Sequence, residues 1–128
     1  MCRAARFLFM PKAPVDDCLF CRIVQKSIPA EIVHETDSTL AFRDVHPKAP
    51  VHVLVIPKEH VESIMHLEKR HAALLGDLHE TIQAVARSEK LVPGGFRIAV
   101  NVGREAGQTV PHLHYHVLGG RAFSWPPG

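Results

Sequence analysis

This chain of 128 residues has no excess charge of either sign, no long apolar run and too few cysteines for a disulfide framework. Lysine and arginine total 15 against 13 aspartates and glutamates, a net charge of +2 that gives no support for general nucleic-acid binding. No apolar run approaches the roughly 20 residues that a membrane-spanning helix needs. We therefore expect neither nucleic acid nor a membrane as a partner.

The composition is that of a globular protein, with 46% hydrophobic and 22% charged residues. The length fits one domain. Residues 1–16 contain two prolines and no hydrophobic period, so we expect a flexible N-terminal segment followed by a domain at 17–128. The start, MCRAARFLFM, lacks the apolar core of a signal peptide, and a cytoplasmic location is expected.

Hydrophobic periodicity predicts both helices and strands. Runs rich in β-branched or alternating apolar residues predict strands at 31–35, 39–44, 51–56, 96–101 and 111–118. Apolar residues at helical spacing predict a short helix over 18–26 and a long one over 67–90. Most strand connections are short enough for antiparallel pairing, which favours the α+β class.

Histidine is abundant, with 10 residues, and three of them alternate with apolar residues in one segment. In a strand, His112, His114 and His116 would point from one face while the residues between them enter the core. Buried imidazoles need polar partners, so this is an expensive way to fill a core. A functional site is the better interpretation.

Two chemistries suit such a row of imidazoles. One is a metal centre, because alternating histidines can share an ion. The other is nucleophilic catalysis at phosphorus, because neutral imidazole can carry a nucleotidyl group briefly. The preceding loop, residues 103–109, offers small residues, backbone N–H groups and a hydroxyl, as an anion-binding concavity needs. The combination favours catalysis at phosphorus.

The motif His112-x-His114-x-His116-x-x resembles the signature of the histidine triad (HIT) superfamily, and within it the Hint branch of purine nucleoside phosphoramidases. The resemblance extends from residue 17 to residue 128. Its other matching segments are Ile28-Pro-Ala30, Leu40-Ala-Phe-Arg-Asp44, Ala49-Pro-Val-His52, Val55-Ile-Pro-Lys58, Gly107-Gln-Thr109, Leu118-Gly-Gly-Arg121 and Trp125-Pro-Pro-Gly128.

The resemblance implies a homodimer of α+β protomers, each with a five-stranded antiparallel sheet, one long helix and one or two short ones. It also implies cleavage of purine nucleoside 5′-phosphoramidates, or related derivatives, through a covalent nucleotidyl-histidine. His114 would be the nucleophile, His116 would bind phosphate and help protonate the leaving group, and His112 would lie beside them. The implied substrate contacts are Leu19, Phe20, Ile23, Ile28, Phe42, Asp44, Val45, Asn101, Gly107, Gln108, Thr109 and Trp125.

The sequence departs from the Hint pattern at several positions. Thr109 replaces the usual serine, and Pro111 and Tyr115 also differ from the usual residues, which bears on rate rather than on reaction class. Cys18 and Cys21 form a CxxC that Hint proteins lack. Other HIT relatives hold a zinc there, which would imply a structural zinc on Cys18, Cys21, His52 and His112. No cofactor is expected for the chemistry itself.

Three other functions remain open. The substrate could be a dinucleoside polyphosphate, the chain could be a nucleotide-binding regulatory module with incidental catalysis, or the histidines could form a catalytic zinc centre. The tail with the only tryptophan should dock on a surface, because its ring carries much apolar area. That surface is either its own subunit or, as the resemblance implies, the leaving-group side of a partner's site.

Overall fold

The protein is described by a computed structural model over residues 17–128, so the predicted flexible segment at 1–16 lies outside the described residues. Five antiparallel strands form one sheet in the order β1-β2-β3-β5-β4. The strands are β1 Ile32–Glu35, β2 Thr39–Arg43, β3 Val51–Pro57, β4 Phe96–Ala99 and β5 Tyr115–Gly119. The helices are α1 Leu19–Val24 and α2 Ala72–Ser88. The predicted α+β class with a five-stranded sheet is confirmed.

The two faces of the sheet bury different apolar clusters. One face packs against α2, where Val53, Val55 and Val117 meet Leu78 and other helix residues. The opposite face packs against α1, through the side chains of Phe20, Ile23, Leu40, Phe42, Leu54 and Ile56. Strand side chains alternate between faces, and the rings of His112 and His114 accordingly lie against Phe20 on the α1 face. Leu113, Tyr115 and Val117 enter the α2 cluster, as the alternation predicted.

Helix α2 begins later than the predicted residue 67. A 3-10 turn at Lys69–His71 precedes it, and a reciprocal capping box joins Glu68 and His71. The Nδ1 atom of His71 accepts the backbone N–H of Glu68 at 2.9 Å, which satisfies a donor that no helical carbonyl can reach. The apolar stripe predicted for this helix still faces the sheet, since Leu78, Ile82 and Val85 are buried.

Strand β5 also begins later than predicted, at Tyr115 rather than at residue 111. The backbone before it bonds to loops instead of the ladder, because Leu113 N–H donates to the carbonyl of Val61 at 2.6 Å. His112 and His114 therefore lie just ahead of the strand, where their positions depend on the loop that follows β3. No helix in the described part of the chain is long and apolar enough to cross a membrane.

Gly119, at the end of β5, allows a test of how tightly side chains pack on the α2 face of the sheet. A Cβ at Gly119 would lie 2.5 Å from Cδ2 and 3.1 Å from Cγ of Leu91, which is buried. We expect Gly119→Ala to lower the free energy of unfolding by about 1–3 kcal/mol, as overpacking does. The matched control is Gly76→Ala in α2, where the Cβ meets nothing within 4 Å. It should raise stability by about 0.5–1 kcal/mol. Urea denaturation measures both, and a Gly119→Ala variant as stable as the parent would contradict the packing described here.

Candidate active site

A pocket of about 360 Å³ lies on the α1 face of the sheet and ends at two histidines. Its apolar wall comes from α1, the segment after it, β2 and β3, and its polar end holds Asp44, His114 and His116. The wall residues are Leu19, Phe20, Ile23, Ile28, Pro29, Ala30, Phe42, Val45, Leu54 and Val110. An apolar slot with polar groups converging at one end is the usual form of a small-ligand site.

Most residues predicted to contact substrate line this pocket, namely Leu19, Phe20, Ile23, Ile28, Phe42, Asp44, Val45 and Thr109. Four others do not line it: Asn101, Gly107, Gln108 and Trp125. Sequence reasoning missed six further lining residues: Pro29, Ala30, Arg43, His46, Leu54 and Val110. Leu54 could have been found from the strand period, because it lies two residues from His52 on the same face and opposite His116 in the ladder. His46 lies in the loop between β2 and β3, where no sequence periodicity predicts the direction of a side chain.

Gln108 braces the loop rather than facing the pocket. Its Oε1 accepts the backbone N–H of Gly103 at 2.9 Å. Its Nε2 donates to the carbonyls of Glu62 at 2.9 Å and Val110 at 3.1 Å. The oxygen and the nitrogen of the side-chain amide are thus both hydrogen-bonded to backbone groups. The side chain closes the loop of residues 103–108 and ties it to the segment after β3.

The proton of His114 is fixed by a backbone carbonyl. Its Nδ1 lies 2.7 Å from the carbonyl oxygen of His112, which can only accept. Nδ1 therefore carries the hydrogen, and Nε2 carries a lone pair. The ring is 7% exposed, packs edge-on against Phe20 with centroids 5.1 Å apart, and lines the pocket. Such a nitrogen is placed to act as a nucleophile on a ligand in the pocket.

The proton of His116 is fixed through His52. The backbone N–H of Lys48 donates to Nδ1 of His52 at 3.0 Å, so a neutral His52 carries its hydrogen on Nε2. That atom lies 2.9 Å from Nδ1 of His116 and 3.4 Å from Oδ2 of Asp44. Nδ1 of His116 therefore accepts, and its own hydrogen is on Nε2. His114 and His116 thus hold opposite tautomers side by side, with ring centroids 5.0 Å apart.

Both rings of this relay are neutral at neutral pH in the unliganded site. The pKa of His116 is lowered to about 4, mainly by burial and also by the neighbouring His114 and His52, while the charge of Asp44 opposes the shift. Burial also lowers the pKa of His52. An anion against His116 would raise its pKa again and favour the protonated ring.

A second cluster brings together Cys18, Cys21, His60 and His112, whose ligand atoms all lie within 4.8 Å of one another. Nε2 of His112 donates to the carbonyl of Pro57 at 2.9 Å, which leaves the lone pair on Nδ1. That Nδ1 lies 3.3 Å from Sγ of Cys18 and 3.2 Å from Nδ1 of His60. These separations are close to the edges of a tetrahedron with the usual zinc–ligand bond lengths. The donor set fits a structural zinc ion.

His52 was predicted as the fourth zinc ligand, but the structure places His60, and not His52, with Cys18, Cys21 and His112. Strands β3 and β5 are antiparallel, with His52 opposite Leu118, so His52 lies at the far end of β5 from His112. His60 follows the other end of β3 and comes beside His112. Antiparallel register alone would have identified it, because residues after β3 must lie near residues before β5.

Asp44, His52 and His116 also form a cluster that could hold a metal by composition and distance. The tautomer of His52 argues against it. A metal on Nε2 would need the hydrogen on Nδ1, where it would oppose the N–H of Lys48. The cluster therefore suits proton positioning rather than metal binding, and the two histidine clusters have separate roles.

The tail lies over β4 of its own chain. The guanidinium carbon of Arg97 lies 5.2 Å from the ring centroid of Phe123 and 5.8 Å from that of Trp125. Arg121 lies 4.2 Å from the Phe123 centroid on its other side. The Trp125 side chain is nevertheless 79% exposed, so its docking within one chain is partial.

Comparison with known proteins gives one consistent result. Residues 25–123 match the HIT domain family. The chain is 50% identical over 113 residues to an uncharacterised HIT-like protein of Synechococcus elongatus, covering 88% of this chain and 98% of that one. It is 45% identical over 114 residues to a protein of Brassica juncea named 14 kDa zinc-binding protein, covering 88% of this chain and all of the relative, 100%.

Solved structures agree with these sequences. A HIT family hydrolase from Legionella pneumophila superposes with a TM-score of 0.85 at 44% identity, covering 87% of this chain and 99% of that one. A histidine triad protein from Clostridium difficile gives a TM-score of 0.81 at 39% identity, covering 84% of this chain and 94% of the other.

Proposed function

Because the chain belongs to the HIT domain family and has the fold of a HIT family hydrolase, we propose that it hydrolyses purine nucleoside 5′-phosphoramidates or related nucleoside 5′-phosphate derivatives. The observation that carries the proposal is the pair of opposite tautomers at the end of an apolar pocket. His114 presents a lone pair and His116 presents an N–H to the same space. Attack at phosphorus needs both.

The first step forms a bond between Nε2 of His114 and the α-phosphorus while the bond from phosphorus to the leaving group breaks. The leaving group takes the electron pair and a proton from Nε2 of His116, which is protonated when a phosphate anion lies against it. Water then attacks phosphorus and returns a proton to His116, and the bond to His114 breaks. The net reaction consumes one water and releases a nucleoside monophosphate and the protonated leaving group.

The rest of the pocket suits a nucleoside. The apolar wall formed by α1, β2 and β3 matches the faces of a purine. Oδ1 of Asp44 accepts the N–H of His46 at 2.8 Å, and the other lone pairs of this carboxylate can accept ribose hydroxyls. Thr109 lines the same pocket as His114 and His116, and its hydroxyl can donate to a phosphate oxygen. Asp44 thus fixes the sugar while Thr109 and the histidines hold the phosphate.

A homodimer is part of the proposal. Strand β4 is an edge strand, and the apolar side chains of Ile98 and Val102 are 41% and 37% exposed there. An edge of this kind is well suited to pair with a second copy about a two-fold axis. In such a dimer, the exposed Trp125 could reach the leaving-group side of the partner's site. We also propose a cytoplasmic location.

The alternatives differ in what they require of the site. A dinucleoside polyphosphate would use the same histidines with a phosphate as leaving group. A regulatory module would bind the nucleotide without turnover. A catalytic zinc on the histidine triad is disfavoured, because His52 carries its hydrogen on Nε2, the nitrogen that faces His116.

We further propose a structural zinc on Cys18, Cys21, His60 and His112. Two thiolates and two imidazoles leave no open position, so the ion would stabilise rather than catalyse. It would hold His112 ahead of β5, and the carbonyl of His112 in turn holds the ring of His114. The name of the Brassica juncea relative, which describes zinc binding by that protein, supports the proposal.

Two histidine variants test the zinc ligands against each other. His60→Ala should lose zinc from protein purified without chelator, because it removes one of four ligands. His52→Ala should keep about one zinc per chain, because His52 lies at the opposite end of β3. Elemental analysis measures both. Zinc lost from the His52 variant and kept by the His60 variant would contradict the assignment.

The hydrolase itself is tested with an adenosine 5′-phosphoramidate and measurement of released AMP. We expect turnover by the parent protein and a loss of at least roughly three orders of magnitude in His114→Ala, as for removal of a covalent nucleophile. His114→Asn, which is nearly isosteric, should behave likewise while still binding AMP. Near-parental turnover in either variant would exclude His114 as the nucleophile.

A further inference from the structure

Arg97 is a half-buried cation on β4 that has no carboxylate partner among residues 17–128. Arg43 and Arg70, by contrast, are each paired with a carboxylate, Arg43 with Glu89 at 2.9 Å and Arg70 with Glu59 at 3.1 Å. Arg97 instead contacts only the faces of Phe123 and Trp125 within reach of its guanidinium. Stacking fixes the plane of a guanidinium but leaves its N–H donors at the edge unused.

Strand register places Arg97 on the catalytic face of the sheet. Arg97 lies opposite Leu118, which in turn lies opposite His52, while Ala99 lies opposite His116. Paired residues point to the same face, so Arg97, His52 and His116 share it. One strand spacing and two residues along the strand separate Arg97 from His116, a Cα distance of about 8 Å.

Arg97 lies on the opposite side of His116 from the nucleoside pocket. The pocket extends from His116 over β3 and β2 toward α1. A nucleoside in that pocket occupies this side, so a group attached to its phosphorus must extend past His116 toward β4. Arg97 and Phe123 are the side chains of the same chain that it meets there.

We propose that Arg97 selects leaving groups that carry a negative charge beside a flat ring. This inference rests on the proposed function and names the leaving-group class for the same site. The guanidinium edge would bind the anion with two N–H donors, and the side chain of Phe123 would pack against the ring of the leaving group. Two sources share this chemistry: an aromatic amino acid with a free carboxylate, and a second nucleotide with its phosphate.

A matched pair of substrates tests the charge alone. Adenosine 5′-phosphoramidates of phenylalanine and of phenethylamine differ only in the carboxylate. We expect kcat/KM to favour phenylalanine about tenfold in the parent protein, and Arg97→Gln to remove that preference. Arg97→Lys keeps the charge and should restore part of it. The preference should also shrink at high salt, because Arg97 is only half buried.

The matched control is Arg87→Gln, the same substitution at an exposed position of α2 on the other face of the sheet. It should leave the preference as in the parent. A diadenosine polyphosphate supplies the second arm. A larger loss with Arg97→Gln on this substrate than on the phenylalanine derivative assigns a second nucleotide as the preferred source, and the reverse assigns an amino acid.

A binding measurement keeps the inference independent of turnover. Calorimetry on AMP-saturated protein compares N-acetylphenylalanine, which is anionic, with N-acetylphenethylamine, which is neutral. We expect the anion to bind about tenfold more tightly in the parent and equally in Arg97→Gln. Equal binding in the parent, or a preference unchanged by Arg97→Gln, overturns the role of Arg97 whether or not the protein hydrolyses the phosphoramidates. Absence of AMP release with the anion preference intact overturns only the proposed hydrolase.

Discussion

The site depends on backbone groups that can play only one part in a hydrogen bond. A carbonyl can only accept and an amide N–H can only donate, so each fixes the proton on the imidazole it meets. The carbonyl of His112 fixes His114, and the N–H of Lys48 fixes His52 and through it His116. Adjacent rings of the same residue type thereby hold opposite tautomers, and the proposed function makes one the nucleophile and the other the donor.

Fixed backbone groups also distinguish the cluster of Cys18, Cys21, His60 and His112 from the cluster of Asp44, His52 and His116. The carbonyl of Pro57 holds the hydrogen of His112 on Nε2, so its Nδ1 is available beside Cys18 and His60. His52 has no such lone pair on the atom that faces His116. Pro57 ends β3 and His112 precedes β5, so pairing of these two strands connects the Cys18, Cys21, His60 and His112 cluster to the ring of His114. A disturbance of either cluster should reach the other through the backbone of His112.

Hydrophobic periodicity in the sequence predicts many features of the fold. Features that depend on which strands pair, and in which register, could not be predicted from it. The alternation of apolar residues in 112–117 predicted which side chains enter the core, and the apolar stripe at helical spacing predicted α2. Both predictions worked because burial of one face imposes a period of two residues on a strand and of about 3.6 residues on a helix. The starts of α2 and β5 were misplaced because a capping box and a loop hydrogen bond, rather than hydrophobicity, set them. The choice of His52 over His60 failed because the antiparallel register of β3 on β5 was not used. The side-chain hydrogen bond of Gln108 to the carbonyl of Glu62 could not be predicted, because the two residues are 46 positions apart in sequence.

Tautomer assignment by nitrogen NMR tests the central claim most directly. With histidines labelled at both ring nitrogens, long-range ring couplings show which nitrogen of each neutral imidazole carries the hydrogen. At neutral pH we expect His114 to carry it on Nδ1 and His116 on Nε2, with the His114→Asn and His116→Asn variants assigning the two sets of signals. The same tautomer on both residues, or the reverse pair, would contradict the account of how this site divides its chemistry.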